Sequence, residues 1–379
     1  MAIREIRLAN VRSYELFSTA LDPGITLILG RNGTGKTTLL EALYYLSVGT
    51  SFRGRDREMI AHDSTRADIV MVDDVHERRA SLQLLADDKV KKTFITDDKT
   101  SMRLPAKARL PIVLFEPDEL RLLSSSPERR RHFFDGMLSR LYPQYGTLLA
   151  RYQRILLQRN ELLKQYGEAM SHGANFRGRS AASGLTSDAS GGTKPLLDIQ
   201  DHLFTWDIKF AETARNIVEI RRDFTVTSSA YLPAIYSQLA EAEHHVSASY
   251  TSSMPAENYQ QKLLNHLHTT RVHDSYRGYT TSGPHRDDFL LLLDGHAAAE
   301  TASRGEMRTI MLAYKLLEVA LQQEIFQAPP LILMDDVFSE LDAHREQHLM
   351  HALSEYQTVI TATDLRDELK INASIITLK

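Results

Sequence analysis

The chain contains the stretch Gly30-Arg31-Asn32-Gly33-Thr34-Gly35-Lys36-Thr37, which matches the phosphate-loop pattern G-x-x-x-x-G-K-[ST]. The apolar run from Ile25 to Leu29 before it is typical of a strand, and Thr37 to Leu46 after it has helical spacing. In such a loop, glycines let backbone N–H groups turn inward and surround phosphate oxygens at the N-terminus of a helix. The sequence therefore predicts an α/β fold built around a nucleotide site.

Each part of this loop has an expected role in binding ATP and Mg²⁺. Lys36 is expected to neutralise the β- and γ-phosphates and to act in catalysis, and the Thr37 hydroxyl is expected to bind magnesium. A glycine-rich turn that matches by chance is the alternative, but the flanking strand and helix favour function. The residues predicted to contact the nucleotide here are Gly30, Arg31, Asn32, Gly33, Thr34, Gly35, Lys36, Thr37 and Thr38.

A second element, the apolar run from Leu331 to Met334, ends in the acid pair Asp335-Asp336. Such a run is typical of a central parallel strand, and ligands of open α/β sheets bind beyond the carboxyl ends of the strands. Asp335 is therefore predicted to complete the magnesium shell, and Asp336 to orient or deprotonate a water molecule. Taken alone, two acids after a strand more often form a solvated turn.

A third element is Ser303-Arg304-Gly305-Glu306, which is followed by a long helical pattern. Serine with glutamate three residues later forms a capping box, in which each side chain bonds a free backbone N–H. The same geometry allows Ser303, Gly305 and the exposed amides of a helix N-terminus to bind a terminal phosphate. Both interpretations can hold together.

The middle of the chain is predicted to be helical. Apolar residues recur at helical spacing before Ser171 and again from Leu196, while residues 171–195 are rich in Ser, Gly and Ala and are predicted to be a flexible tip. The two helices on either side of the tip are expected to form an antiparallel arm.

Composition limits the class of protein. The 379 residues contain no cysteine, and Met1 to Arg7 alternates like a strand instead of resembling a signal peptide, so the chain is expected to be cytoplasmic, with no association with a membrane. The net charge of −4 means that any contact with DNA must come from a local basic patch.

Further segments carry a resemblance to a known family. The order of the phosphate loop, the Ser-x-Gly-Glu segment and the acid pair resembles ABC-type ATPases of the SMC/Rad50 class, and within that class the chain is similar to the RecF family of bacterial DNA-repair proteins. The supporting segments are Asn10 to Tyr14, Leu40 to Leu46, Phe115 to Leu120, Pro127 to Arg131, Gly283 to Asp288 and Asp335 to Asp342.

This resemblance implies a two-lobed α/β protein with an ABC-type ATPase head, a mixed sheet with helices, formed by both chain ends. Residues 1–120 and 276–379 would form the head, and residues 121–275 would form an inserted helical lobe. ATP would lie between the heads of a homodimer, with Ser303 of one subunit contacting the γ-phosphate held by Lys36 of the other. Asp342 would lie in the segment that lines this dimer interface.

The sequence departs from the pattern of the wider class in the residues that drive hydrolysis. Asp336 stands where the class has a longer glutamate, which implies a weak and slow ATPase, and Ala302 stands where many members have leucine. No clear counterpart of the class's Q-loop glutamine or switch histidine is present, and Thr361, Thr363 and Asp364 occupy the position of the latter.

The resemblance also implies partners: double-stranded, gapped DNA, and proteins like RecR and RecO. The arginines proposed to contact DNA are Arg53, Arg55, Arg57, Arg129, Arg130 and Arg131. Such clusters are more often only solvated surface. The leading hypothesis is a dimer that clamps DNA at single-strand gaps, is released by hydrolysis and helps to load a recombinase. The alternatives are a nucleotide-gated scaffold, another SMC/Rad50-like ATPase and a transporter ATPase, which the inserted arm disfavours.

Overall fold

The computed structural model describes residues 2–179, 196–363 and 373–378. The chain divides into two compact units: unit 1 is Met1–Ser124, Ala230–Val246 and Leu293–Lys379, and unit 2 is Ser125–Ser229 and Ser247–Leu292. The predicted boundaries at 121 and 276 assign residues 121–124, 230–246 and 276–292 the other way. Most of the predicted flexible tip, residues 180–195, and Asp364 lie outside the described residues.

Unit 1 contains an antiparallel sheet of six strands in the order β2-β1-β4-β5-β6-β7. Along β1 the buried side chains alternate irregularly with exposed ones, as expected for a strand with one face on the core. The strands are β1 (Ile3–Val11), β2 (Tyr14–Ala20), β4 (Arg66–Asp73), β5 (Glu77–Leu84), β6 (Val90–Thr96) and β7 (Lys99–Ser101).

The second sheet of unit 1 is parallel and has the order β14-β3-β13-β12-β8. Its central strands β12 and β13 are almost entirely buried, which fits a sheet that is covered on both faces. Because all five strands run in one direction, their carboxyl ends lie at the same edge. The strands are β3 (Ile25–Leu29), β8 (Ile112–Phe115), β12 (Leu331–Asp335), β13 (Thr358–Ala362) and β14 (Ala373–Thr377).

The helix after the phosphate loop, α1 (Lys36–Val48), contacts strands of both sheets, and its apolar side chains join the core formed by both. The edge strand β8 is protected by Gln322, a buried side chain that bonds both backbone groups of Ile112 at 2.7 and 2.8 Å. The other helices of unit 1 are α2 (Asp56–Met59), α8 (Ala298–Thr301), α9 (Arg304–Phe326) and α10 (Ala343–Ala352), and the short strand β11 is His296–Ala297.

Unit 2 is built on the predicted antiparallel pair of long helices. The helices of the unit are α3 (Pro127–Leu141), α4 (Pro143–Arg179), α5 (Leu196–Ala240), α6 (Tyr259–Thr269) and α7 (Arg271–Arg277), with strands β9 (Val246–Thr251) and β10 (Asp288–Leu293). The last residues of α5 and β10, and the first of β9, belong to unit 1.

In the contacts between α4 and α5, residues earlier in α4 meet residues later in α5. Tyr166 meets Gln200, and Arg159 meets Asp207. The helices are therefore antiparallel, as predicted. Pro143 separates α3 from α4, and Asp294 and Gly295 both have positive φ in the turn after β10, as their sequence indicated. Among the described residues, no helix is long and apolar enough to cross a membrane.

Candidate nucleotide-binding site

The phosphate loop connects β3 to α1 at the carboxyl edge of the parallel sheet. Gly33 and Gly35 have φ of 85° and 93°, a region that L side chains rarely adopt. A Cβ atom at Gly35 would also lie 2.8 Å from the ring of Tyr14. The first turn of α1 carries no acidic residue, so its free N–H groups are available to an anion.

Lys36 points back over this loop. Its ammonium donates to the carbonyl oxygens of Gly30, at 2.5 Å, and Arg31, at 3.0 Å. The side chain is only 8% exposed. An ammonium has three N–H donors, so two loop carbonyls leave one for a further acceptor.

The two predicted magnesium ligands meet, although 298 residues separate them. The Thr37 hydroxyl donates to Asp335 Oδ1 at 2.8 Å. Thr361 Oγ1 lies 2.8 Å from the same oxygen, so this residue of the predicted sensor position fixes the orientation of the carboxylate. Hydroxyl and carboxylate oxygens are ligands that Mg²⁺ prefers, and cis ligands of an octahedral Mg²⁺ lie about 2.9 Å apart. The pair therefore fits magnesium in both chemistry and spacing.

Asp336 adopts a left-handed conformation, with φ 53°, at the start of a short 3₁₀ helix. Its backbone N–H donates to the carbonyl oxygen of Thr361 at 3.1 Å, which stabilises this turn of the chain. Burial raises the pKa of its carboxyl, and the nearby charges of Asp335 and Glu340 act in the same direction while Lys36 opposes them. A carboxylate whose pKa is raised is a better proton acceptor.

Arg12, Ser13 and Pro117 line the same cavity, although no motif in the sequence indicates a role for them. Arg12 forms a bidentate ion pair with Glu41, at 2.5 and 2.7 Å, and the Glu41 side chain is fully buried. Ser51 donates to the same carboxylate at 2.5 Å. The signal that could have found this pair is a lone glutamate in the apolar helix α1, because a buried charge requires a partner.

The cavity has a volume of about 510 Å³ and is open to solvent on one side. Its polar lining comes from the phosphate loop, the acid pair and the segment after β1. The residues are Arg12, Ser13, Asn32, Gly33, Gly35, Lys36, Thr37, Thr38, Arg53, Pro117, Asp335 and Asp336. The structure thus brings the loop and the acid pair together, and it adds Arg53, which had been predicted to contact DNA.

Ser303 is exposed at the N-cap of α9 and forms the predicted capping box with Glu306. Neither Ser303 nor Gly305 is among the residues that line the cavity. Arg345 packs against this helix, donating to Thr309 Oγ1 at 2.7 Å and pairing with Asp342, the N-cap of α10. The starts of α9 and α10 are therefore tied together within unit 1.

The remaining predicted DNA contacts differ in exposure. Arg55 is exposed, and Arg57 is half-buried and lies 3.7 Å from Asp88. In unit 2, Arg129 is exposed. Arg130 and Arg131 are engaged within the unit. Arg130 forms a bidentate ion pair with Asp288, at 2.5 and 3.0 Å. Arg131 donates to the backbone oxygen of Asp287 at 2.6 Å.

Comparison with known proteins identifies similar chains of nearly the same length. The family model described as "RecF/RecN/SMC N terminal domain" matches residues 2–373. The DNA replication and repair protein RecF of Agathobacter rectalis is 30% identical over 372 residues, which cover 98% of this chain and 94% of that protein. The protein of the same name from Roseiflexus castenholzii is 31% identical over 395 residues, with coverages of 97% and 94%.

A solved structure of the recombination mediator protein RecF-ATP in the RecFOR pathway superposes with a TM-score of 0.78. It is 26% identical in sequence, and the match covers 97% of this chain and 93% of that one. A second structure of the same protein with ATPrS gives a TM-score of 0.79. The predicted fold class, an ATPase head of mixed sheets and helices with a large helical insertion, is confirmed.

Proposed function

This chain belongs to the RecF family of proteins with a RecF/RecN/SMC N-terminal domain, and on that premise we propose that it is an ATP-dependent DNA-binding protein of recombinational repair. The predicted family is thereby confirmed, and the family is one of ABC-type ATPases. The observation that carries the proposal is the meeting of Thr37 and Asp335 in a cavity that the phosphate loop lines.

ATP would bind with its phosphates on the loop between β3 and α1. Backbone N–H groups at the start of α1 would surround the β-phosphate, and the third N–H of Lys36 would bond a phosphate oxygen. Thr37 and Asp335 would hold Mg²⁺, which neutralises charge between the β- and γ-phosphates when it is bound. Arg53, which lines the cavity, adds positive charge that favours a triphosphate.

Hydrolysis would use Asp336 as the group that orients and deprotonates the attacking water. Its raised pKa suits a proton acceptor. Its side chain is one methylene shorter than glutamate, so the carboxylate reaches less far towards the γ-phosphate, and we expect slow turnover. Thr361 supports this site, because it bonds both Asp335 and the backbone of Asp336.

A second subunit would complete the site. The start of α9 offers an exposed serine hydroxyl beside amides of a helix N-terminus, a combination suited to a phosphate. Because Ser303 and Gly305 do not line the cavity of their own chain, they are available to the nucleotide of a partner. A shift from 1% to 99% dimer requires about 5.5 kcal/mol of differential binding, part of which these contacts would supply.

The ATP-bound dimer would clamp double-stranded DNA near single-strand gaps, and hydrolysis would release it. The exposed Arg55 and Arg129 are the best placed of the predicted arginines to contact phosphates. Proteins like RecR and RecO would be its partners, and the assembly would help to load a recombinase. This part of the proposal rests on family membership.

The decisive experiment measures ATP-dependent dimerisation by light scattering, with and without gapped DNA. We expect ATP to produce dimers, gapped DNA to stabilise them, and both Lys36→Met and Ser303→Arg to abolish them. Ser126→Arg is the matched control, because Ser126 is also an exposed serine at a helix N-cap, in unit 2. ATP-induced dimers of Ser303→Arg would refute the shared site.

A nucleotide-gated scaffold is the second candidate, and the short Asp336 side chain favours it. In that case the main work is the recruitment of partners, and ATP turnover is incidental. The substitution Asp336→Asn separates the two functions. If hydrolysis stops and gap repair in cells continues at the normal level, the result supports the scaffold function and contradicts a clamp that hydrolysis releases.

A further inference from the structure

A cluster of two histidines and a glutamate lies on unit 1, outside the nucleotide cavity. His344 and His348 are one turn apart on α10, and Glu241 follows the last residue of α5. Each residue offers one ligand atom, and these three atoms lie within 4.8 Å of one another. These residues have no part in the proposed nucleotide site.

The spacing of these atoms matches a metal site. His344 Nε2 lies 3.2 Å from one Glu241 oxygen, and His348 Nε2 lies 3.2 Å from the other. Metal–ligand bonds of about 2.0–2.1 Å in tetrahedral geometry place neighbouring ligand atoms about 3.3 Å apart. Both nitrogen–oxygen distances are close to this value, and because the two imidazoles face different oxygens of Glu241, a single ion requires a rotation of that carboxylate.

The donor set decides the class of metal. Two imidazole nitrogens and one carboxylate oxygen suit zinc and related transition ions, whereas Mg²⁺ and Ca²⁺ prefer oxygen alone. The alternative is a hydrogen bond from each imidazole Nε2–H to one Glu241 oxygen, since 3.2 Å is also within hydrogen-bond range. The two rings are only 4.3 Å apart. Two rings this close, with both Nε2 atoms directed at one carboxylate, suit a single shared cation.

The backbone holds the glutamate in place for this role. Glu241 has φ 49°, a left-handed conformation, and its N–H donates to the carbonyl oxygen of Ser237 at 3.0 Å. The chain thus turns sharply at the end of α5, and the carboxylate lies against α10. The ligands differ in exposure, since the side chain of His348 is 28% exposed and that of Glu241 is 64% exposed.

We propose that Glu241, His344 and His348 bind a divalent transition-metal ion of the zinc class, with water in the fourth position. Three protein ligands and an exposed setting describe an exchangeable site. The bound ion would cross-link the end of α5 to the first turns of α10. The N-cap of α10 is Asp342, so the ion would also restrain the segment that leads from the acid pair into this helix.

The test is isothermal titration of the full-length chain with Zn²⁺, in the presence of saturating Mg²⁺ to occupy the oxygen ligands of the nucleotide site. We expect one zinc ion per chain. His344→Ala and His348→Ala should each weaken binding by at least about 100-fold, more than the loss of an outer-shell partner does. The matched control is His351→Ala, an exposed histidine on the same helix that lies outside the cluster.

Co²⁺ provides a second readout, because the visible absorption of four-coordinate cobalt reports the geometry directly. These bands should appear with the unmodified chain and with His351→Ala, and should be absent with the two cluster variants. Circular dichroism verifies that each variant is folded, which is expected because the substituted side chains are partly exposed. Zinc binding that is unchanged in both cluster variants, or no saturable zinc binding to the unmodified chain, would overturn the proposal.

Discussion

The ion pair between Arg12 and Glu41 offers the sharpest test of how the nucleotide cavity is held together. Glu41 lies on α1, and its fully buried carboxylate accepts both N–H groups that Arg12 offers. Arg12 is partly exposed, because it lines the cavity. The perturbation is Arg12→Met, which keeps most of the side-chain volume and removes the charge.

Because Glu41 is fully buried and Arg12 is partly exposed, the loss of stability depends on which partner is removed. Breaking a buried ion pair by removing one partner costs about 3–5 kcal/mol, because the other charge stays buried. Water can reach the site through the cavity, so we expect the lower end, about 3 kcal/mol. Glu41→Leu leaves only the part-exposed Arg12 unpaired and should cost about 2 kcal/mol. The double variant should cost less than either single change, because no charge is left unpaired, so the two changes are strongly non-additive.

The assay is native-state hydrogen exchange on peptides that cover α1. Exchange reports the free energy of opening of that region and does not require the two units to unfold in one step. The matched control is Arg7→Met, which breaks the bidentate pair with Glu5 on an exposed strand face of the same unit. The control should change the protection of α1 far less, because exposed ion pairs contribute little.

Two results would contradict the dependence of Glu41 on Arg12. If Arg12→Met changes the protection of α1 no more than Arg7→Met does, the Glu41 carboxylate does not depend on Arg12. Additive single changes would lead to the same conclusion. The Arg12 side chain would then be free for the nucleotide alone, and its substitution should affect ATP affinity without affecting stability.

Three further predictions follow from the described contacts. Burial lowers the pKa of His285 from 6.5 to about 4. Between these pH values this histidine binds a proton only in the unfolded chain. The free energy of unfolding should therefore fall by up to about 3 kcal/mol as the pH drops from 6.5 to 4. In urea titrations His285→Asn should lack this part of the pH dependence. Gln322→Leu should cost about 2 kcal/mol, measured by hydrogen exchange of β8, because the backbone groups of Ile112 lose their partner. Thr361→Val should weaken Mg²⁺-dependent ATP binding in isothermal titration, because the hydroxyl that orients Asp335 is removed.

Each of these predictions has a control. Gln323 is the neighbour of Gln322, and its side chain bonds only an exposed tyrosine hydroxyl, so Gln323→Leu should leave β8 protected. ATP binding to Thr361→Val without Mg²⁺ should be normal, and an equal loss with and without the metal would contradict the assigned role. If the free energy of unfolding depends on pH in the same way in His285→Asn and in the unmodified chain, other titrating groups cause that dependence.

The meeting of the loop and the acid pair could be predicted from sequence, because parallel strands end at one edge of their sheet. β3 and β12 are separated only by β13, so residues that follow each strand come within reach of one another. The antiparallel arm could be predicted as well, since the helical spacing of apolar residues survives over the described parts of α4 and α5.

Side-chain partners far apart in the chain could not be predicted in the same way. Glu41 signals a need for a positive partner, but many arginines could satisfy it. The Glu241, His344 and His348 cluster has only the spacing of its two histidines as a sequence signal. The third ligand depends on the sharp turn at the end of α5, and a left-handed glutamate has no local signature.

The segment from Gly283 to Asp288 carries part of the family resemblance but lies in unit 2, whereas the phosphate loop and the acid pair lie in unit 1. It is among the most specific of the segments that carry the family resemblance, yet in the described structure it forms the polar centre of unit 2. Its bonds are Pro284 O with Arg221 at 2.7 Å, His285 with Tyr152 at 2.7 Å, Asp287 with Tyr250 at 2.6 Å and Asp288 with Arg130 at 2.5 Å.

The hydrogen bonds of this segment also fix the tautomer of His285. Nε2 lies 3.1 Å from the carbonyl oxygen of Thr280 and must carry the hydrogen, so Nδ1 accepts from the Tyr152 hydroxyl. Burial of the ring, which disfavours the charged form, lowers the pKa of this histidine and keeps it neutral. The segment therefore contributes to the packing of unit 2, whereas the residues proposed to bind ATP and magnesium, Lys36, Thr37, Asp335 and Asp336, lie in unit 1.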